Sequence, residues 1–166
     1  ITVDSGDGGT GAAPMTLIDD MGLDIQETLP MLVDKLIEHG LRERIKVIAS
    51  GKLVNPADVA WALCAGADCV VTARGFMFSL GCIQAMQCDK NTCPTGITTH
   101  DTDLQRGLVV KDKSQRVANY QQNMIKELYT IANSCGVKNP RHFTRRHARV
   151  ILQSHKSISL EALYKG

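Results

Sequence analysis

Residues 45–75 read IKVIASGKLVNPADVAWALCAGADCVVTARG. The first part, Ile45 to Leu53, is an apolar, β-branched run ending in Ser50-Gly51-Lys52, the composition of a buried strand. Asn55 then offers a helix cap, with Pro56 at the first helical position, where a proline's missing N–H leaves no intrahelical bond unmade. The chain returns to an apolar strand in DCVVTARG, which ends in Arg74-Gly75. Strand, helix and strand at this spacing predict a β-α-β unit with parallel strands.

The same unit extends toward the N-terminus. Ile1 to Asp4 is a short β-branched strand, followed by SGDGGTGAAP, where four glycines and a proline demand a loop with unusual backbone angles. From Asp24 the pattern DIQETLPMLVDKLIEHG has Asp24 as cap, Glu27 three residues on, apolar Leu29, Leu32, Val33, Leu36 and Ile37, and Gly40 as stop. That is an amphipathic helix whose first turns Pro30 should deform. Near-continuous apolar strands with helical crossovers predict an α/β fold, its parallel sheet covered on both faces, either doubly wound or a β/α barrel. Ligands of both architectures sit beyond the carboxyl ends of the strands, here Ser5 to Gly11, Ser50 to Lys52 and Arg74 to Gly75. Past Gly96 the chain turns polar. Val117, Tyr120, Met124, Leu128 and Ile131 then fall at helical spacing before Gly136, predicting a long amphipathic helix. The basic tail is expected to add a short helix near Leu160, so residues 111–166 read as a helical C-terminal extension of the unit at 1–110.

Composition bounds the rest. With 166 residues and 43% hydrophobic content, the chain suits one globular domain. A net charge of +2, from 19 basic and 17 acidic residues without long runs, points to neither nucleic acid nor an acidic membrane. No stretch reaches the roughly 20 apolar residues of a membrane span. Cysteines in an α/β pattern, with no signal peptide, argue for a reducing, cytoplasmic setting. The chain opens on ITVD without an initiator Met, which predicts a fragment or processed product.

Two neighbouring strand ends carry Ser50-Gly51-Lys52 and Arg74-Gly75. Glycines exposing backbone N–H groups, a nearby helix N-terminus and two cations would cradle a phosphate; alternatively the glycines only turn the chain and the cations are solvated. The glycine loop with Gly8 and Gly9 fits neither the dinucleotide fingerprint nor the phosphate loop, yet it lies where backbone can approach a flat ligand. Asp7 is a candidate functional carboxylate, set against a turn-stabilising role.

Cys82, Cys88 and Cys93 lie in GCIQAMQCDKNTCPTG, residues 81–96. The spacing is too wide for paired zinc ligands, and one disulfide would leave a thiol over. Three thiolates without a fourth ligand suit an iron-sulfur cluster lacking one corner, 3Fe-4S, and Cys-Pro closes a known ligand run. Cys64, Cys69 and Cys135 read as ordinary buried thiols.

With these residues in view, DGGTGAAP, ASGKLVNPADVAWALCAGAD, ARGFMFSLGCIQAMQCDKNTCPTGITT and LVVKDKSQRVANYQQN together resemble the FMN-binding domain of the glutamate synthase family. The likeness runs from Ile1 to about Gly136. It implies the C-terminal part of a (β/α)8 TIM barrel, about three of its eight strands, that binds FMN and a 3Fe-4S cluster. The implied reaction condenses ammonia with 2-oxoglutarate, and reduced FMN delivers a hydride to give glutamate. Carried over by position, Cys82, Cys88 and Cys93 match the cluster ligands. Ser50 to Lys52 and Arg74 to Gly75 match the region holding the FMN phosphate, and Gly8 and Gly9 the loop beside flavin and substrate.

Asp89 stands where family members often carry His, which alters local charge but removes no ligand. The first five barrel strands and the ammonia-releasing amidotransferase domain are absent from the sequence, so an electron donor or amidotransferase partner and a complementing chain or oligomer are expected. Two other readings compete: a phosphate-binding barrel of inosine monophosphate dehydrogenase type, which the cysteine triplet opposes, and a non-catalytic metal or electron-transfer fragment.

Overall fold

The computed structural model describes residues 1–8, 13–18, 21–152 and 154–164. Strands β1 (Thr2–Asp4), β2 (Ile48–Ser50) and β3 (Cys69–Val71) form a parallel sheet in that order. Thr2 is level with Ile48 and Cys69, and Asp4 with Ser50 and Val71. Each strand is shorter than the apolar run that contains it, because only three residues of each find a partner in the ladder.

The crossovers are the two predicted helices. In α1 (Ile25–Glu38) the Asp24 carboxylate accepts the Glu27 N–H, and Ile25, Leu29, Val33 and Leu36 are buried. Pro30 is also buried inside this helix, where it removes the N–H that would have bonded the Gln26 carbonyl. The helix continues through it, and the Tyr164 hydroxyl donates to the Gln26 oxygen at 3.3 Å. In α2 (Pro56–Ala65) the Asn55 side chain accepts the Asp58 N–H, and Gly66 stops the helix in a left-handed conformation, as the sequence predicts.

These helices cover one face of the sheet. Leu29, Val33 and Leu36 pack with Val59, Ala62, Val47 and Ala49, while Val3 and Val70 lean against them half-buried. Thr2, Asp4, Cys69 and Val71 are exposed on the opposite face. The expectation of a sheet covered on both faces is therefore corrected: among the described residues, the helices α1 and α2 pack on a single side, and the alternate side chains of each strand meet solvent.

After β3 come α3 (Ala73–Leu80), α4 (Thr102–Gln105) and the long α5 (Val110–Ser134). Helix α5 packs across α2 and α3. It buries Met124 and Ala132 and leans Tyr120, Leu128 and Ile131 against the core, the stripe predicted from spacing. The tail departs from the helical expectation. Strands β4 (Arg149–Ile151) and β5 (Ser157–Ser159) form an antiparallel hairpin; among the described residues of the tail the helical segments are two 3-10 turns, Pro140–His142 and Arg145–His147, and the short α6 (Leu160–Leu163), expected near Leu160 and capped by the Ser159 side chain. Arg-Val-Ile and Ser-Ile-Ser favour extended backbone, and the Arg149 guanidinium bridges the strands to Ser157 Oγ at 3.0 Å and its carbonyl at 2.9 Å. Arg145 joins the tail to α1 through an ion pair with Asp34 at 2.5 Å and donates to the Tyr164 carbonyl at 3.0 Å. Among the described residues no helix is long and apolar enough to cross a membrane.

Candidate functional site

The carboxyl ends of β2 and β3 open onto one cleft lined by Ser50, Gly51, Lys52, Val54, Thr72, Ala73 and Arg74. The two strand ends singled out in the sequence thus share a single hollow. Arg74 and Gly75, read there as loop, lie in the first turn of α3, because the chain turns helical directly after Thr72. A helix N-terminus carries a partial positive charge and unused N–H groups. Thr72 is the cap residue, yet its side chain makes no capping hydrogen bond. A cleft with a helix N-terminus and the cations Lys52 and Arg74 is suited to a phosphate or carboxylate.

The two glycines serve close approach. A Cβ on Gly51 would run into Ser5 Oγ and stand 2.8 Å from Ile25 Cβ and 2.9 Å from an Asp7 carboxylate oxygen, so Gly51 lets the loop after β1 close on the loop after β2. A Cβ on Gly75 would collide with the Tyr120 hydroxyl. Gly75 is buried under α5 and does not line the cleft, which corrects its reading as an exposed cradle residue. Asp7 sits in the turn Gly6–Gly8 and accepts a hydrogen bond from Ser5. Ser5 Oγ also lies 3.1 Å from the Ser50 carbonyl oxygen, so Asp7 acts as a turn-stabilising carboxylate. Asp7 borders a second hollow with Gln26, Lys52 and Trp61. Gly8 closes the turn, and Gly9 lies outside the described residues.

Tyr120, placed by the sequence on the apolar stripe of the long helix, was not singled out for the site. Its hydroxyl donates to the Val54 carbonyl at 2.6 Å and lies 3.2 Å from Thr72 Oγ1, and its ring packs edge-on against Phe76 at 5.1 Å. The signal was a tyrosine on an apolar stripe, whose hydroxyl must find a partner once buried.

The cysteines follow α3. Gly81 ends the helix in a left-handed conformation, and the Cys82 N–H bonds the Met77 carbonyl at 3.1 Å. Between Cys82 and Cys93 three non-glycine residues, Gln84, Met86 and Asn91, have φ of 54°, 54° and 59°, a dense run of a conformation that costs such residues energy. Hydrogen bonds hold its far end: Thr99 Oγ1 donates to the Asn91 carbonyl at 2.6 Å, and the Asn91 side chain accepts the His100 N–H at 2.7 Å. Burial alone would push the Cys93 thiol up. Hydrogen bonds from the Thr95 hydroxyl and the Thr98 and Thr95 N–H groups outweigh it and bring the pKa to about 6, so the sulfur is a thiolate at neutral pH, the form that ligates metal.

Cys82 and Cys88 are half-buried and Cys93 is buried, all as free thiols. The structure does not draw the three sulfurs together: among the described residues, no three His, Cys, Asp or Glu side chains close on a point that would hold a metal ion. In donor chemistry the set fits an iron-sulfur cluster, with three free thiols on one loop and one held ionised. Asp89 is exposed. Helix α3, eight residues long, rises about 12 Å from the cleft to the cysteine loop. Of the remaining cysteines, Cys64 is buried, and burial pushes its thiol up to about 12. Cys69 and Cys135 are exposed, against expectation, since one stands on the open face of the sheet and the other at the end of α5.

Residues 1–138 match the family described as "Conserved region in glutamate synthase". The chain belongs to the glutamate synthase family. It is 46% identical over 163 residues to the glutamate synthase large subunit-like protein YerD of Bacillus subtilis (strain 168), covering 98% of this chain and 31% of that protein. It is 33% identical over 139 residues to the archaeal glutamate synthase (NADPH) of Methanocaldococcus jannaschii, covering 84% of this chain and 27% of that protein. Against the glutamate synthase (NADPH) large chain of Bacillus subtilis, identity is 30% over 138 residues, 83% of this chain and 9% of that protein. The chain therefore spans less than a third of the length of these glutamate synthase relatives. The matches favour this family over the inosine monophosphate dehydrogenase type.

Proposed function

We propose that the full-length protein carrying this chain is an FMN- and 3Fe-4S-dependent oxidoreductase of glutamate synthase type, making glutamate from 2-oxoglutarate and ammonia. The observation that carries the reading is the arrangement about α3: an anion-suited cleft with Lys52 and Arg74 at its N-terminus, and the three-cysteine loop just beyond its C-terminus. When bound, FMN would supply hydride transfer and the cluster one-electron transfer.

The chain's own residues would divide the work as follows. Ser50, Gly51, Lys52 and Arg74, with the first turn of α3, hold the phosphate, and Gly75 lets α5 brace that turn. Gly8 and Gly9 border the ring and substrate, with Asp7 fixing the turn. Cys82, Cys88 and Cys93 ligate the cluster, whose binding would draw the loop closed, since metal binding and local folding are coupled. The three-stranded sheet is read as a sector of a β/α barrel, its open face turned to the barrel interior and completed by further strands of the protein or an assembly. The ammonia source is an amidotransferase partner, and a separate donor supplies electrons. The six cysteines, all free thiols, suit the cytoplasm.

Iron and acid-labile sulfide analysis of the full-length protein, with a flavin absorbance scan, tests this. Stoichiometric FMN, iron and sulfide are expected. Colourless, iron-free protein would overturn the proposal.

A further inference from the structure

We infer that Lys113 and Arg116, on the long helix α5, are the positive charges that raise the reduction potential of a cluster held through Cys82. This rests on the proposed iron-sulfur site, whose residues include neither cation.

Gly81 joins α3 to Cys82, and two long side chains of α5 reach it. A Cβ on Gly81 would stand 3.2 Å from Lys113 Nζ and 3.7 Å from Arg116 Nη1. The two cations lie three residues apart on α5, hence on one face. A lysine ordinarily carries its ammonium out to water, but the Lys113 side chain is only 16% exposed and is turned to this junction. Its ion pair with Asp112 is long, 3.9 Å, to a carboxylate that is 63% exposed, so little of its charge is offset there.

Cys82 is tied to the end of α3, its N–H bonding the Met77 carbonyl at 3.1 Å. A cluster bound through Cys82 therefore lies at this end of the helix, whatever course the rest of the loop takes. Three thiolates make such a cluster anionic, and reduction adds one more negative charge. The partial negative charge at the C-terminus of α3 opposes that electron. Two cations at the same junction favour it, Lys113 the more because it is shielded from water and salt. Within the loop Asp89 and Lys90 offset each other in charge, so the balance falls to α5.

The test is a potentiometric titration of iron-loaded full-length protein, followed by the electron paramagnetic resonance of the oxidised cluster, with iron and sulfide assayed in each variant. Lys113→Met keeps the side-chain length and removes the charge. It should retain full iron and lower the ratio of reduced to oxidised cluster about tenfold at fixed potential, the equivalent of about 59 mV for one electron. Lys113→Arg should keep the wild-type value, and so should Lys138→Met, the same charge change beyond the far end of α5. Arg116→Gln should shift the ratio in the same direction by about threefold, less because Arg116 is exposed. A wild-type potential in Lys113→Met with full iron overturns the inference, as does an equal shift in Lys113→Arg, the mark of a packing role. Where Lys113→Met fails to fold or to hold iron, a wild-type potential in Arg116→Gln overturns it. Full-length wild-type protein without iron and sulfide removes the cluster reading itself, and the inference with it.

Discussion

Asp68 closes the end of the sheet opposite the cleft. Its carboxylate accepts the Val47 N–H at 2.8 Å and meets Arg42 at 2.9 Å and Lys46 at 3.3 Å. Burial pushes its pKa up, but the Val47 hydrogen bond and the two cations outweigh that and hold it below the ordinary carboxylate value. A depressed folded pKa gives stability that is fully present above the unfolded value, about 3.9, and is lost as pH falls through the folded value. Asp68→Asn is expected to cost about 1–2 kcal/mol at neutral pH and to flatten the loss of stability below about pH 4, read from urea unfolding at a series of pH values. Tyr164 acts at comparable scale, donating to the Gln26 carbonyl that Pro30 leaves without a helical partner. Tyr164→Phe should cost about 0.5–1.5 kcal/mol, and much less when Pro30→Ala restores the helical N–H; a thermal double-mutant cycle measures the difference. The sequence exposed the proline but not its remedy, because Tyr164 lies 138 residues from Gln26 and nothing local links them.

At the scale of elements, the contact between α3 and α5 is set by a missing side chain. Gly75→Ala puts a methyl group into the Tyr120 hydroxyl, so the helices must separate or the ring must turn, at a cost of about 1–3 kcal/mol. Chemical denaturation is expected to show that loss, accompanied by a change in near-ultraviolet circular dichroism from Tyr120. The helices themselves were legible: Asp24, Asn55 and Pro56 mark their starts, and the 3.6-residue period survives burial. The β4-β5 hairpin was not. Its strands have three residues each and join around His155 with φ of 58°, and neither that turn nor the cross-strand Arg149–Ser157 bonds follow from composition. Arg74 was likewise mistaken for loop because α3 begins without a side-chain cap to announce it.

For the molecule as a whole, the packed layers and the cysteine loop are separable. Cys82 and Cys88 are half-buried, and Cys93, though buried, lies outside the contiguous core cluster, so Cys88→Ser in the full-length protein should lose bound iron while far-ultraviolet circular dichroism stays that of the wild type. Collapse of the fold would instead mark the loop as a structural support. The cleft was legible because parallel strands put their carboxyl ends on one side; the course of the cysteine loop, which leaves its three sulfurs apart, was not, since spacing gives the reach of a loop and not its path. The bare side of the sheet has its own grammar. Thr2, Ile48 and Cys69 form one tier, Asp4, Ser50 and Val71 the next, and at the upper tier the Ser50 hydroxyl donates to the Asp4 carboxylate at 2.8 Å. Any layer laid over these strands encounters an acid beside the mouth and mainly apolar atoms farther down, so a tight seal can form only at depth, and the rim must stay wet.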